Sequence, residues 1–199
     1  MAEEKTINVS NVQAEINKLG RALEPQQINN AIGRHITNIV KAHLFKYNAD
    51  HQNRLGGRRT NYFSQAAKAT SYQESGQGVT ISIKQVGMAL QYYGGTVTPG
   101  KGTSTATGKP TQFLTIPAIA EAHGKSAFEI PDLVPVFGSG GRVYGLAKKS
   151  EGRKKMRGML YFWLVKSATI KPHPDVIPSD DTIRTEVITA VKDLVKRNL

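Results

Sequence analysis

Apolar residues return every three or four positions in two long stretches of this chain, one near each end. Ile28, Ile32, Ile36, Ile39, Val40 and Leu44 form the first stripe. It predicts a helix from Pro25, a residue that suits a first helical turn, to about Tyr47. Ile183, Val187, Val191 and Leu194 or Val195 form the second. Ser179 or Asp180 is placed to cap this last helix, and Lys196 and Arg197 complement its C-terminal dipole. A weaker stripe, Val12, Ile16, Leu19 and Leu23, predicts a short amphipathic helix over residues 9–23. Residues 1–52 therefore read as a helical N-terminal part.

Between the two long helices the period changes. Residues 53–57 read as a turn, and Thr60 can cap a further helix through about Ser71. In "GVTISIK", Val79, Ile81 and Ile83 alternate with polar residues, the mark of a half-buried strand. "VGMALQYY" fits a short helix or an irregular link. Thr96–Thr98 and Phe113–Ile116 read as two strands flanking a loop. Ile119–His123 is short for a helix. "LVPVFGSGGRVYGLA" reads as a hairpin turning at Gly138–Gly141. "GMLYFWLVKSATIKP" is the most apolar run and reads as a central strand with Phe162 and Trp163 on opposite sides, so both faces must be covered, by helices or by neighbouring chains. Pro172, Pro174 and Pro178 mark a rigid crossing into the last helix. Helices, then strands, then one helix argue for an α+β fold. A mostly antiparallel sheet would pack against the N-terminal helices and the C-terminal helix, all in a single domain spanning residues 1–199.

The chain has 199 residues, enough to bury roughly 70% of its unfolded surface without staples. It has no cysteine, so disulfides and thiolate metal sites are excluded. The start, "MAEEKTINVS", has no apolar core and does not read as a signal peptide. No apolar run approaches the roughly 20 residues of a membrane span. The net charge is +12, from 27 Lys and Arg against 15 Asp and Glu. Residues 1–100 contribute +5 and residues 101–199 contribute +7, so the excess is shared between the halves. Such a balance favours polyanions or acidic protein partners.

Few residue patterns point to chemistry. His35, His43 and His51 are spaced by eight, a rotation of about 80° per step on a helix, so they do not converge. Polar or half-buried helix histidines account for them, and His173, between prolines, reads as a surface group. "GSGGRVYG" lacks the spacing of a nucleotide loop and precedes β-type residues. "LGGRR" before the Thr60 helix either binds an anion or is a turn with solvated arginines. Asp180 and Asp181 are accounted for as first-turn charges. The sequence thus implies no catalytic residue, metal or cofactor.

Two segments remain. Lys148, Lys149, Arg153, Lys154, Lys155 and Arg157 face only Glu151 in the basic loop 148–158. The loop is either a solvated link between strands or a contact for phosphates or an acidic protein face. With no aromatics interleaved it does not suit base stacking. The second is "YYGGTVTPGKGTSTATGKPTQFLTIP", residues 92–117. Tyr92 and Tyr93 can anchor the base of an extended hairpin arm. Gly94 and Gly95 let the backbone bend or approach another chain closely. Pro99 and Pro110 bound a tip with almost nothing to bury, and Pro117 ends the return strand. Such an arm either orders against a neighbour or is a tolerated insertion.

The succession "LGGRRTNYFSQAAKAT", "ISIKQVGMALQYYGGTVTPGKG", "FLTIPAIAEAHG" and "MLYFWLVKSATIKPHPDVIPS" followed by a helix resembles the Mu-like phage virion morphogenesis, or tail completion, proteins. The shared features are an aromatic before Gly-Gly and a β-branched strand, a run ending L-x-I-P, and an apolar strand leading to a Lys-Pro-x-Pro turn. Together they cover most of residues 55–199. The chain departs from that pattern at Gly87 and Met88, where the family often has His-Pro. The resemblance implies a structural subunit of a tailed phage, acting as a tail completion or tail terminator protein or as a head–tail connector. It implies a ring of identical subunits, hexameric by that likeness, placed at the head–tail joint and assembled in the bacterial cytoplasm. Neighbouring neck and tail-tube proteins would be its partners, with DNA passing through on backbone contacts and no membrane involved. A basic nucleic-acid-binding protein is the alternative, and an enzyme with an unfamiliar site is a third reading.

Overall fold

The computed structural model describes residues 18, 20–21, 24–51, 55–57, 59–75, 78–100, 112–149 and 159–198. The expected helix over 9–23 lies mostly outside them, its apolar stripe entirely so. The chain divides into two compact units. The first comprises the described residues up to Tyr47, with Phe63–Met88 and those from Asp175 onward; the second comprises Asn48–Tyr62 and Ala89–Pro174. Within them the elements are helices plus antiparallel sheets, the α+β class expected.

In the first unit, helix α1 spans Pro25–Asp50 and buries Gly33, Ile36, Thr37, Val40, Leu44 and Tyr47. That set repeats every three or four residues, so one stripe faces inward. Helix α2, Tyr62–Lys68, ends sooner than the sequence suggests. The hydroxyl of buried Thr70 donates to the Ala66 carbonyl at 2.8 Å and closes the last turn. Thr70 then opens strand β1, Thr70–Ser75, which pairs with β2, Gly78–Ile83, from Thr70↔Ile83 to Ser75↔Gly78. Gly33 lets this hairpin lie close to α1, because a methyl group there would run into the Tyr72 ring. The Tyr72 hydroxyl donates to Asn30 Oδ1 at 3.2 Å. The C-terminal helix, which begins at Asp180, is capped by Ser179, whose Oγ accepts from the Thr182 amide at 3.3 Å.

The second unit begins its sheets after helix α3, Met88–Tyr93, whose first residue belongs to the first unit. Gly94 closes α3 by donating its amide to the Leu90 carbonyl at 2.9 Å, with φ +71°. A Cβ there would sit 2.7 Å from the Pro172 nitrogen and 2.9 Å from the Ile170 carbonyl oxygen. Only glycine satisfies both the left-handed backbone and the close approach. Strand β3, Gly95–Val97, pairs with a later strand, Ala168–Ile170. Strand β4, Leu114–Pro117, instead joins a four-stranded antiparallel sheet. Its other members are β5, Leu133–Phe137, β6, Val143–Lys148, and β7, Leu160–Val165, in the order β4-β7-β6-β5. The run read as one long strand is therefore broken at Lys166–Ser167: β7 stays in this sheet and β8, Ala168–Ile170, leaves to pair with β3. As expected, β7 is an inner strand, and the 133–147 hairpin is present as β5 and β6.

Thr37 is 5% exposed and its hydroxyl has no hydrogen-bond partner. Its isostere valine removes that desolvated group, so Thr37→Val is expected to raise stability by about 1 kcal/mol in a denaturant melt. Gly94→Ala, which adds both positive-φ strain and a backbone clash, is expected to cost about 2–3 kcal/mol in the same assay.

Candidate docking surface

Two rows of cross-strand partners traverse the four-stranded sheet, and they face opposite ways. The first is Pro117–Phe162–Leu146–Pro135. Phe162, 1% exposed, belongs to the core with Ala122, Ile130 and Tyr161. Ile119, Ala127, Leu133 and Leu146 pack around that cluster. This face is covered by the short 3-10 turns Ala120–Ala122 and Ala127–Glu129, the second closed by a Ser126–Glu129 capping box. The Tyr161 hydroxyl donates to Glu121 Oε2 at 2.9 Å. That hydrogen bond to a carboxylate, with burial, pushes the Tyr161 phenol up.

The second row is Ile116–Trp163–Gly145–Val136, adjacent to the first on every strand. Alternation along a strand places it on the other face. Here Trp163 is 47% exposed and Ile116 37%. Gly145 is buried because Leu160 occupies the place of its missing Cβ. Tyr144, exposed beside it, holds its ring centroid 6.1 Å from that of Trp163. Of the two covers expected for β7, helices of its own chain do not reach Trp163. β7 is apolar on both sides, but its own chain leaves nearly half of Trp163 in water.

Exposure and charge coincide in the second unit. Of the eleven large apolar side chains exposed among the described residues, eight belong to it: Leu55, Tyr93, Ile116, Phe128, Phe137, Tyr144, Met159 and Trp163. By sequence the same unit carries 15 Lys and Arg against 5 Asp and Glu, a net +10, and the first unit only +2. The near-equal charge of the chain's two halves concealed this, because the second unit is the middle of the sequence.

The sequence-chosen residues are placed unevenly. Tyr92 and Tyr93 end α3 with their rings edge to face at 4.8 Å, Tyr93 being 76% exposed. Gly94 bends the chain against its own Pro172, and Gly95 opens β3 opposite Ile170. Pro99 is half-buried, and Pro117 is the last residue of β4, opposite Phe162. The expected hairpin arm over 92–117 is corrected: its two flanking strands pair with β8 and β7, not with each other. The tip, with Pro110, lies outside the described residues. Lys148 ends β6 opposite Leu133, and the Lys149 amide donates to the Asp132 carbonyl at 3.0 Å. Both side chains are exposed. Arg153, Lys154, Lys155 and Arg157 lie outside the described residues.

Other polar groupings serve the first unit's fold. His35 Nε2 meets Glu186 Oε2 at 2.6 Å, and His43 Nε2 meets the Asp175 carbonyl at 2.8 Å. Burial and the hydrogen-bonded Asp175 carboxylate push the Tyr47 phenol up. A groove of about 340 Å³ is lined by Asn30, Arg34, His35, Asn38, Asp193 and Arg197, among others. It gathers both signs of charge with amides and holds no serine or threonine beside a base. Among the described residues no cluster of three His, Asp or Glu is placed for a metal, and no helix is long and apolar enough to cross a membrane. Comparison with protein-family models, with curated proteins and with solved structures gives no match to this chain.

Truncating the two neighbours on β7 separates the faces. Phe162→Ala is expected to cost about 3–5 kcal/mol, while Trp163→Ala, whose ring is already half in water, costs roughly half as much. Equal losses in parallel chemical denaturations would mean that the Trp163 face is covered as fully as the other.

Proposed function

We propose that this chain is a structural subunit of a tailed-phage particle, a tail completion or head–tail joining protein working as a ring of identical copies. The observation that carries the reading is one unit that combines an open apolar sheet face with nearly all of the net charge. That combination suits docking into a larger assembly, since a contiguous exposed apolar patch on a folded unit marks an interaction site. The order of sequence elements resembling the virion morphogenesis proteins supplies the type of assembly. The reading assigns no catalytic residue. Lys148, Lys149 and the basic segment that follows would face an acidic neighbour or the passing DNA.

A stand-alone nucleic-acid binder is the second reading, favoured by the same +10. Salt separates the two. About six phosphate contacts would give a log–log slope near −5 for binding to duplex DNA by the isolated chain.

The direct test deletes the gene from the phage or prophage genome that carries it and supplies variants in trans. Loss of the protein is expected to leave DNA-filled heads and separate tails, seen by electron microscopy, with infectious titre falling by orders of magnitude. Ile116→Lys, a surface change on an edge strand, is expected to give soluble, folded protein that restores few joined particles. Normal joined particles in the deletion strain would end this assignment.

A further inference from the structure

We propose that the Trp163 face of the four-stranded sheet receives a different protein, whose contact surface has an apolar centre and a rim of carboxylates. The inference rests on the assembly reading only in taking that partner to be a component of the same particle.

The chemistry of the face argues first. Its cross-strand pairs are Leu114 with Val165, Ile116 with Trp163, Trp163 with Gly145, Gly145 with Val136 and Ala147 with Val134. None of these side chains carries a charge or a hydrogen-bonding group apart from the Trp163 indole. The Trp163 indole N–H, with the Tyr144 hydroxyl beside it, is too little to hold a run of phosphates and sugars, the commonest contacts to nucleic acid. It matches instead the charge-depleted, aromatic centre of a protein interface.

Size argues second. Four strands of 4, 6, 6 and 5 residues, about 4.8 Å apart and rising about 3.4 Å per residue, present roughly 340 Å² in projection. A stable interface takes roughly 800 Å² from each partner. The sheet face supplies about half, so the surroundings of the sheet must contribute the rest.

Those surroundings are cationic. At the strand ends Arg142, Lys148, Lys149 and Lys166 are exposed, against Asp132 alone among the described residues. An apolar centre with a basic rim is complemented by an apolar centre with an acidic rim. A second copy of this chain does not fit, because it would set one +10 unit against another, and like-charge juxtaposition costs several kcal/mol. Contacts between copies in a ring would then use other surfaces.

The test uses the intact chain and a display library of helical peptides with random surface residues. The library is selected on the wild type and counter-selected on Trp163→Glu, with Ile116→Lys as a second, independently folded control. The expected binders carry Leu, Phe or Met on one stripe and Asp or Glu flanking it. They lose at least about tenfold in affinity on either variant, and roughly tenfold again between low and high salt. Trp163 is the chain's one tryptophan, so its emission reports the face directly. It should shift with these peptides and stay unchanged with oligothymidylate or on raising the protein's own concentration. Selected peptides no more acidic than the starting library, or none that depend on Trp163 and Ile116, overturn the proposal. An emission shift with oligothymidylate overturns it in favour of a nucleic-acid platform, and a shift with self-concentration in favour of a homotypic face. No particle enters these measurements. Acidic binders together with joined particles in the deletion strain would therefore remove the virion reading and leave this one standing.

Discussion

A strand that is apolar on both sides has to be covered twice, and β7 is such a strand. Phe162 and Trp163 are neighbours on it, yet the first is 1% exposed and the second 47%. The chain covers the Phe162 side itself, with two 3-10 turns that bring Ala122 and Ile130 onto the sheet. Much of the second unit follows from that choice. Tyr161 reaches Glu121, Leu146 and Leu133 pack against the same cluster, and Leu146 lies opposite Pro135 in the β5–β6 pair. On the Trp163 side Gly145 and Ala147 are buried too, but Trp163 and Ile116 are left exposed. Roughly 25 cal/mol per Å² of apolar surface remains unclaimed there until something covers it.

The two units meet different constraints. The first is organised by one helix stripe, from Gly33 to Tyr47, against which a hairpin and the C-terminal helix are fastened by polar tethers. These are single hydrogen bonds at half-buried positions, worth about 1 kcal/mol each, so they fix orientation more than they stabilise. Gly33 has the larger effect there, because it sets how near Tyr72 can come. In the second unit the orienting constraint is Gly94, which turns the end of α3 against Pro172 and so aims β3 at β8.

The long helices were legible because a period of 3.6 survives any tertiary context that buries one stripe. Ser179 as a cap was legible for the same local reason. β1 was not: "TSYQES" has one buried residue, Thr70, and no alternation, so the helix read before it was carried too far. The hairpin arm misled because two β-branched runs flanking a Gly-Pro loop are the sequence mark of a hairpin, while the true partners lie about 50 and 70 residues away. Long-range pairing leaves no local trace. Trp163 marks a related limit. A continuous apolar run states that both faces of a strand are apolar, but not which face the same chain will cover. Lys148 and Lys149 were legible as part of a basic cluster, but the concentration of charge in one unit was not, since the division into units does not follow the sequence halves.

Charge and apolar surface act at different ranges on this unit, and their coincidence is what gives the Trp163 face its selectivity. The field of a +10 body extends about a Debye length, 8–10 Å, from the surface. It raises the encounter rate with acidic surfaces and suppresses approach of another copy before any contact is made. The indole of Trp163, with Ile116 beside it, acts only once water is expelled, and large aromatic anchors of this kind mainly set how slowly a complex comes apart. A partner lacking carboxylates would seldom arrive in register, and a polyanion lacking an apolar centre would arrive and leave. Both features are therefore needed on one partner, which restricts it more than either the sequence charge or the exposed tryptophan does alone.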